Sequence, residues 1–271
     1  MADYGVEIER RGRVAAVTFN RRARKNSLDE HMWTCLEAVT EDLEKNPPRA
    51  VVITGAGDEA FCAGFDVSPE NPQVSRLADA MQNQRKGPVM ELIRRVRICT
   101  DRLVGLPVPV IAAVNGLAYG GGAEIASRCD LRVMDPQAVI CFSEVRLGLM
   151  PDHGGVVGLT RLIGPSKAAD LILTGRKVGA GEALALGLVN RISAPGRAFE
   201  EALDLARAIG ENGPRAVRHA LKVIRKTQDL THEQALDLEM MEAVDLIASR
   251  ECITGIAAFL MKQKPEFPEV E

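Results

Sequence analysis

Two glycine-bearing turns are where this chain can do chemistry without committing a side chain to it. The richer one, Gly116-Leu117-Ala118-Tyr119-Gly120-Gly121-Gly122-Ala123-Glu124, follows the apolar run Val108 to Val114 and opens into helix-like sequence through Asp130. Consecutive glycines leave backbone N–H groups accessible at a helix start, where aligned peptide dipoles favour negative charge. That is the requirement for an oxyanion hole. Earlier in the chain, Ala50 to Thr54 reads as a strand followed by Gly55-Ala56-Gly57 and then Phe61-Cys62-Ala63-Gly64-Phe65-Asp66. Two amides from separate loops can grip one carbonyl oxygen, and each typically contributes ~3 to 4 kcal/mol to a transition state carrying charge on that oxygen. Taken singly, either turn is equally an ordinary strand-to-helix connection, because glycine is the usual residue wherever φ is positive. Cys62 adjoins the first turn, but no histidine near it in sequence offers a base, and cysteine also packs as a small apolar residue.

The elements that must position these turns alternate. Val6 to Ile8 and Val14 to Phe19 flank Arg11-Gly12-Arg13 as a β-hairpin. Leu28 to Glu44 carries Leu28, Met32, Leu36, Val39 and Leu43 at helical spacing and stops near Asn46-Pro47-Pro48. Strands are expected at Ala50 to Thr54, Val108 to Val114, Leu131 to Met134 and Val139 to Phe142, with a helix from Val89 to Leu103. The polar, weakly periodic stretch Glu70 to Gly87 reads as a long loop near the substrate entrance. Such alternation favours an α/β architecture with crossover connections. From Ser166 the pattern turns helical: Ser166 to Leu173, Ala180 to Leu186, Ala198 to Ile209, Pro214 to Thr227 and Glu233 to Ala248, with a brief strand at Gly187-Leu188-Val189. The apolar stripe containing Met240, Met241 and Leu246 must lie either on the chain's own core or on another subunit.

A chain of 271 residues, 46% hydrophobic, can bury a substantial core. Its net charge of −3 is not arranged in basic blocks, which argues against nucleic acid as a partner. The start lacks the basic and apolar regions of a signal segment, and no apolar run reaches the ~20 residues that span a bilayer, so no membrane association and a cytoplasmic location are expected. The six cysteines and four histidines lack ligand spacing, so no metal and no disulfide framework are expected.

Phe61 to Asp66, Pro109 to Gly116, Gly120 to Glu124, and Ser143-Glu144-Val145-Arg146-Leu147-Gly148-Leu149-Met150-Pro151 together resemble the crotonase, or enoyl-CoA hydratase/isomerase, superfamily. The likeness extends through Leu173-Thr174-Gly175-Arg176 and Ala183 to Val189, in the expected order over almost the whole chain. The resemblance implies an α/β fold, a crotonase-like spiral of ββα units over residues 1–195, with a helical C-terminal trimerisation region over 196–271. It implies an acyl-CoA thioester as substrate, no separate cofactor, and assembly as a homotrimer or a hexamer of two trimers. By motif position it places the oxyanion amides at Ala63 and Gly121 and two acid–base glutamates at Glu124 and Glu144. It places the CoA contacts at Arg22, Ala23, Arg24, Ala63, Phe65 and Asp66, with Phe259 and Lys262 reaching the nucleotide from a neighbouring subunit.

Those residues imply an enoyl-CoA hydratase, in which one carboxyl handles the water and the other the α-carbon proton. Asp152 stands where many hydratases have glycine and resembles the aspartate of certain enoyl-CoA or dienoyl-CoA isomerases, so a double-bond isomerase using Asp152 and Glu144 is the nearest alternative; a turn role in Pro151-Asp152-His153-Gly154-Gly155 also fits it. His153 titrates in the useful range but has no role in the resemblance and reads as a surface or supporting histidine. A non-catalytic acyl-CoA-binding subunit is the alternative from another class. The acyl pocket is expected from the Glu70 to Gly87 stretch and from Leu147 and Leu149.

Overall fold

The computed structural model describes residues 4–269. The hairpin forms as expected: β1 (Gly5–Arg11) pairs antiparallel with β2 (Val14–Asn20), Arg11 opposite Val14. Helix α1 (Glu30–Lys45) is capped by Asp29, whose side chain accepts from the Met32 amide at 2.9 Å, and it buries Trp33, Leu36 and Leu43. Next come β3 (Ala50–Gly55) and β4 (Ala60–Cys62). Pro72–Gln82 is then a helix, α2, where the sequence suggested loop. Its signals are short-range: the Asn71 side chain accepts from the Gln73 amide, and Pro72 occupies the first turn, where its missing N–H costs nothing. Helix α3 (Lys86–Val104) returns alongside it.

The chain then repeats one unit. Strands β5 (Val110–Val114) and β6 (Leu117–Tyr119) lead into α4 (Gly121–Arg128). Strands β7 (Leu131–Met134) and β8 (Val139–Cys141) lead through the 3-10 turn Glu144–Leu147 into α5 (Gly155–Ile163) and α6 (Pro165–Thr174). Strand β9 (Val178–Gly179), α7 (Ala180–Leu186) and β10 (Arg191–Ile192) complete the core. Gly187 to Val189, expected as strand, is a turn, and pairing resumes only at Arg191 beside Val133. Helices α8 (Ala198–Gly210), α9 (Pro214–Lys226), α10 (His232–Ala248) and α11 (Glu251–Leu260) follow.

From β3 to β8 successive strands alternate between two sheets. One has six strands in the order β1-β2-β3-β5-β7-β10 and is parallel from β2 onward; the other has four, β4-β6-β8-β9, with β4, β6 and β8 parallel. Each ββα unit thus gives one strand to each sheet, and the chain spirals. Every residue of β3 and β5 is buried, the continuous apolar reading expected of a parallel strand covered on both faces. The two-residue period sorts them: Val51, Ile53, Val110 and Ala112 face the large core with Trp33 and Phe61, while Ala50, Val52, Ile111 and Ala113 face Ala202, Leu203 and Ala206 of α8. The first helix past residue 196 therefore closes the sheet, and α9 to α11 lie beyond it. There α10 and α11 leave Met240, Met241, Val244, Ile247, Ile256 and Phe259 exposed. Among the described residues no helix is long and apolar enough to cross a membrane.

Candidate active site

The turn between β6 and α4 is tied down from β8: Gly120, at φ +50°, donates its amide to the Cys141 carbonyl at 3.0 Å. Gly121 is the first residue of α4, so its N–H has no carbonyl one turn back to bond, and it points out of the helix N-terminus. The turn after β4 runs against it. Gly64 has φ +87°, and a side-chain carbon there would lie 2.7 Å from the Tyr119 carbonyl and 2.9 Å from the Gly121 nitrogen, so only glycine lets the two loops touch.

The amide facing Gly121 is not the one the motif suggested. Ala63 donates its N–H to the Lys25 carbonyl at 3.0 Å and has nothing left for a ligand. Two residues on, a one-residue parallel bridge joins Leu28 to Phe65: Leu28 donates to the Gly64 carbonyl at 2.8 Å and Asp66 to the Leu28 carbonyl at 3.0 Å. Amides alternate sides along an extended chain, so the Phe65 N–H faces away from Leu28, and among the described residues it makes no hydrogen bond. Phe65 and Gly121 each present an amide here that makes no hydrogen bond among the described residues.

Two glutamates sit behind it. Glu124, in the first turn of α4, is 1% exposed, and its Oε2 accepts from the amides of His153 at 2.8 Å and Gly155 at 2.7 Å. Gly155 cannot carry a side chain, which would run into the Glu124 carboxyl. Burial, and next the charge of Glu144, push Glu124 up to about 8 despite the Gly155 amide. Glu144 heads the 3-10 turn after β8; burial raises it too, and among the described residues neither of its buried oxygens has a hydrogen-bond partner. Asp152 adds a third carboxyl, its side chain 42% exposed and raised by burial. With Glu124 buried, Glu144 half-buried and Asp152 beside them, carboxyls this close resist ionising together, so near neutral pH the group retains a proton that it can give up or take back.

The profile of the enoyl-CoA hydratase/isomerase family matches residues 9–270. The chain belongs to that family. It is 34% identical over 262 residues to a short-chain-enoyl-CoA hydratase of Clostridium acetobutylicum, covering 96% of each chain. It is 32% identical over 272 residues to an enoyl-CoA isomerase/hydratase of Zymoseptoria tritici, covering 94% of this chain and 84% of the other. The crystal structure of an enoyl-CoA hydratase from Bacillus anthracis superimposes with a TM-score of 0.88 at 31% identity, over 97% of this chain and 98% of that one. The spiral of ββα units is thus the crotonase fold, and an enoyl-CoA hydratase/isomerase acts on acyl-CoA thioesters.

Other residues singled out in the sequence are brought to the site unequally. His153 is buried, with its ring edge-on to Trp33 at 5.5 Å and against Gly121. Burial, and then Arg128, depress it to about 4, so the imidazole is neutral at pH 7, and its Nε2 lies 3.2 Å from Asp152 Oδ1. This is not a surface histidine. Donor atoms of Glu124, Asp152 and His153 lie within 4.8 Å of one another, yet Glu124 Oε2 is taken by two amides and Asp152 and His153 face each other. Cys62 is wholly buried and its thiol is pushed up to about 12, which suits packing and not nucleophilic attack.

Around the Phe65 loop, Arg21 reaches Asp66 at 2.5 Å and Asp29 at 3.1 Å, and Ser68 donates its amide to Asp66 at 2.9 Å. Burial works against the Asp66 charge, but Arg21 and Ser68 outweigh it and hold the carboxyl below its usual range. Asp66 therefore fastens the loop, and its carboxylate is not free for a ligand. Arg21 carried no sequence signal apart from its basic neighbours. Arg22 lies against Gly57, Arg24 pairs with Glu70 at 3.6 Å, and Ala23 is exposed between them. Phe259, 80% exposed, and Lys262 sit at the far end of the helical region, where α11 packs on α10. Helices α2 and α3 enclose an open apolar groove of about 820 Å³ floored by Met81, Val89, Met90 and Ile93; its lining contains neither glutamate.

Proposed function

We propose that this protein adds water reversibly across the 2,3 double bond of an enoyl-CoA thioester. The observation that supports this most is the pair of buried, mutually perturbed carboxyls, Glu124 and Glu144, behind two unengaged amides. The thioester oxygen accepts from the N–H groups of Phe65 and Gly121, with Phe65 taking the place expected of Ala63. Water attacks the β carbon while one carboxylate takes a proton from it; the π electrons move towards the thioester oxygen, and the enolate is stabilised more than the ground-state carbonyl. The carboxyl that holds the shared proton delivers it to the α carbon. One proton leaves the pair and one returns, so the pair ends with the charge it began with, and no cofactor beyond the substrate's own CoA is needed. Because the two groups titrate together, the acid and base roles belong to the pair.

In this reading the CoA phosphates pass the cations Arg22 and Arg24 near Ala23, and the acyl chain leaves past the exposed Leu147 and Leu149. The uncovered apolar residues of α10 and α11 fit a homotrimer or a dimer of trimers, in which Phe259 and Lys262 of a neighbouring copy meet the nucleotide; light scattering that shows a monomer at working concentration removes that contribution. The test of the reaction is loss of the conjugated enoyl absorbance of crotonyl-CoA by wild type, E124Q and E144Q, with the 3-hydroxyacyl product identified. Turnover unchanged in either variant defeats the role assignment, and no turnover of any enoyl-CoA by wild type favours a binding subunit. Asp152 supports a second reading. Its position beside His153 and near Glu124 fits a carboxyl that moves a proton between carbons in double-bond isomerisation. Incubation with a 3-enoyl-CoA separates the two, since isomerisation leaves no hydroxyl in the first product.

A further inference from the structure

The loop that grips Glu124 is itself gripped by a side chain of Glu124's own helix, which is anchored in turn to a helix outside the site. Arg128 lies one helical turn beyond Glu124 on α4, with a largely buried side chain. Its Nη1 donates to the His153 carbonyl at 2.6 Å, and its Nη2 meets Asp101 of α3 at 2.5 Å. Asp101 also faces Arg97, one turn earlier on α3, at 3.9 Å. The loop backbone lies directly on this guanidinium: a side-chain carbon on Gly154, whose φ is +92°, would sit 2.8 Å from Nη1, and one on Gly158 would sit 2.9 Å from Arg128 Cγ.

The peptide unit that Arg128 holds, from the His153 carbonyl to the Gly154 nitrogen, lies between the two amides that bond Glu124 Oε2, those of His153 and Gly155. A glycine at positive φ has little intrinsic preference for the conformation that aims both amides at one oxygen. A planar guanidinium with one partner on the loop and another on α3 restrains it.

We infer that Arg128 is a positioning residue: with Asp101 it straps the residue 153–155 loop to α3 and so fixes the two amides that orient the Glu124 carboxyl. The inference rests on the proposed acid–base role of Glu124 for its kinetic consequence, though not for its structural one. The titratable and charged groups facing Glu124 are Glu144 from the 3-10 turn and Asp152 and His153 from the loop, so a looser loop leaves the carboxyl among like charges with weaker donors.

The test uses R128M, R128K and D101N, each also in the E124Q background, with two readouts. In crotonyl-CoA hydration, R128M is expected to lower kcat about tenfold with KM within about twofold, and the loss should vanish when Glu124 is already glutamine. A merely structural role would cost the same factor in both backgrounds, and that result overturns the inference. In the substrate-free protein, the Glu124 carboxyl followed by 13C NMR, assigned with E124Q, should titrate at higher pH in R128M and in D101N. R128K keeps the charge but cannot bridge both partners, so it should behave like R128M; full rescue by lysine, or an unmoved Glu124 titration, overturns the strap. If R128M does not fold, D101N, which leaves Arg128 in place and removes its anchor, carries the same measurements. A shifted titration in a protein that hydrates no enoyl-CoA upholds the strap and refutes the proposed reaction, so the two failures are told apart.

Discussion

Glu124 and Glu242 are both buried glutamates on helices, and the molecule treats them in opposite ways. Glu124 receives two backbone amides, has two further carboxyls for neighbours and is driven up to about 8. Glu242, on α10, meets His219 of α9 at 2.7 Å and forms an ion pair with Lys222, and Lys222 first, then His219, hold it below its usual range. Burial is common to both, so burial does not decide the charge; the partners do. In the helical region a lysine and a histidine complete a carboxylate that staples α9 to α10, whereas in the core dipoles and like charges leave a carboxyl that exchanges its proton near neutral pH. A permanent charge would be useless to the proposed reaction, and an exchangeable one would be a poor staple.

The sharpest way to break this contrast is to remove the exchangeable protons. E124Q and E144Q should each lower hydration of crotonyl-CoA by about 10²- to 10⁴-fold while the chain stays folded, as measured by steady-state kinetics beside thermal unfolding. E242Q should leave turnover per folded active site unchanged; an equal loss there would erase the distinction. Next in size is the amide pair. Gly64→Ala forces the Phe65 loop off the Gly121 turn and should cost about 10²-fold in kcat, and retention of full activity would show that these amides do not converge on the reacting oxygen.

Stability against pH reads the same contrast with opposite signs. Glu124 binds its proton more tightly folded than unfolded, so its contribution is complete below the unfolded value near 4.5 and is lost as pH rises through about 8. Urea unfolding should therefore show E124Q gaining on wild type by roughly 2–4 kcal/mol between pH 5 and pH 9. Glu242, lowered when folded, contributes above its unfolded value and loses that contribution as pH falls through its folded one. E242Q should cost about 1 kcal/mol at pH 7, since Lys222 is well exposed, and the difference should close in acid. A wild-type stability curve flat across both windows would contradict both assignments.

Much of the architecture was legible along the chain. The β1–β2 hairpin, α1 with its cap, the apolar strands β3 and β5, and the glycine turn before α4 all carry their signal within a few residues. The failures are of two kinds, one a short-range helix start read as loop and the others set by partners far along the chain. Helix α2 was hidden because its apolar residues are few, and a two-residue Asn-Pro start outweighs them. The last core strand lies at Arg191 and not at Gly187 because an edge strand of two residues is defined only by the partner it finds, here β7. Ala63 and Phe65 are two residues apart in the same turn, and nothing local distinguishes an amide spent on Lys25 from one left free.

What the sequence determined by itself was the order of elements and the cast of the site: period-two and helical spacing follow from backbone geometry, and glycine, proline and capping side chains act at short range. The family resemblance carried by its motifs also singled out Glu124, Glu144 and Asp152 as candidates for one site. Only the folded molecule decided which amides stay unengaged, that His153 is buried and neutral, that Asp66 fastens a loop, and that one glutamate is held above the usual carboxylate range while another is held below it. Those properties depend on distances between segments far apart in the chain and on water excluded from between them, which exist only once the sheets and helices have closed.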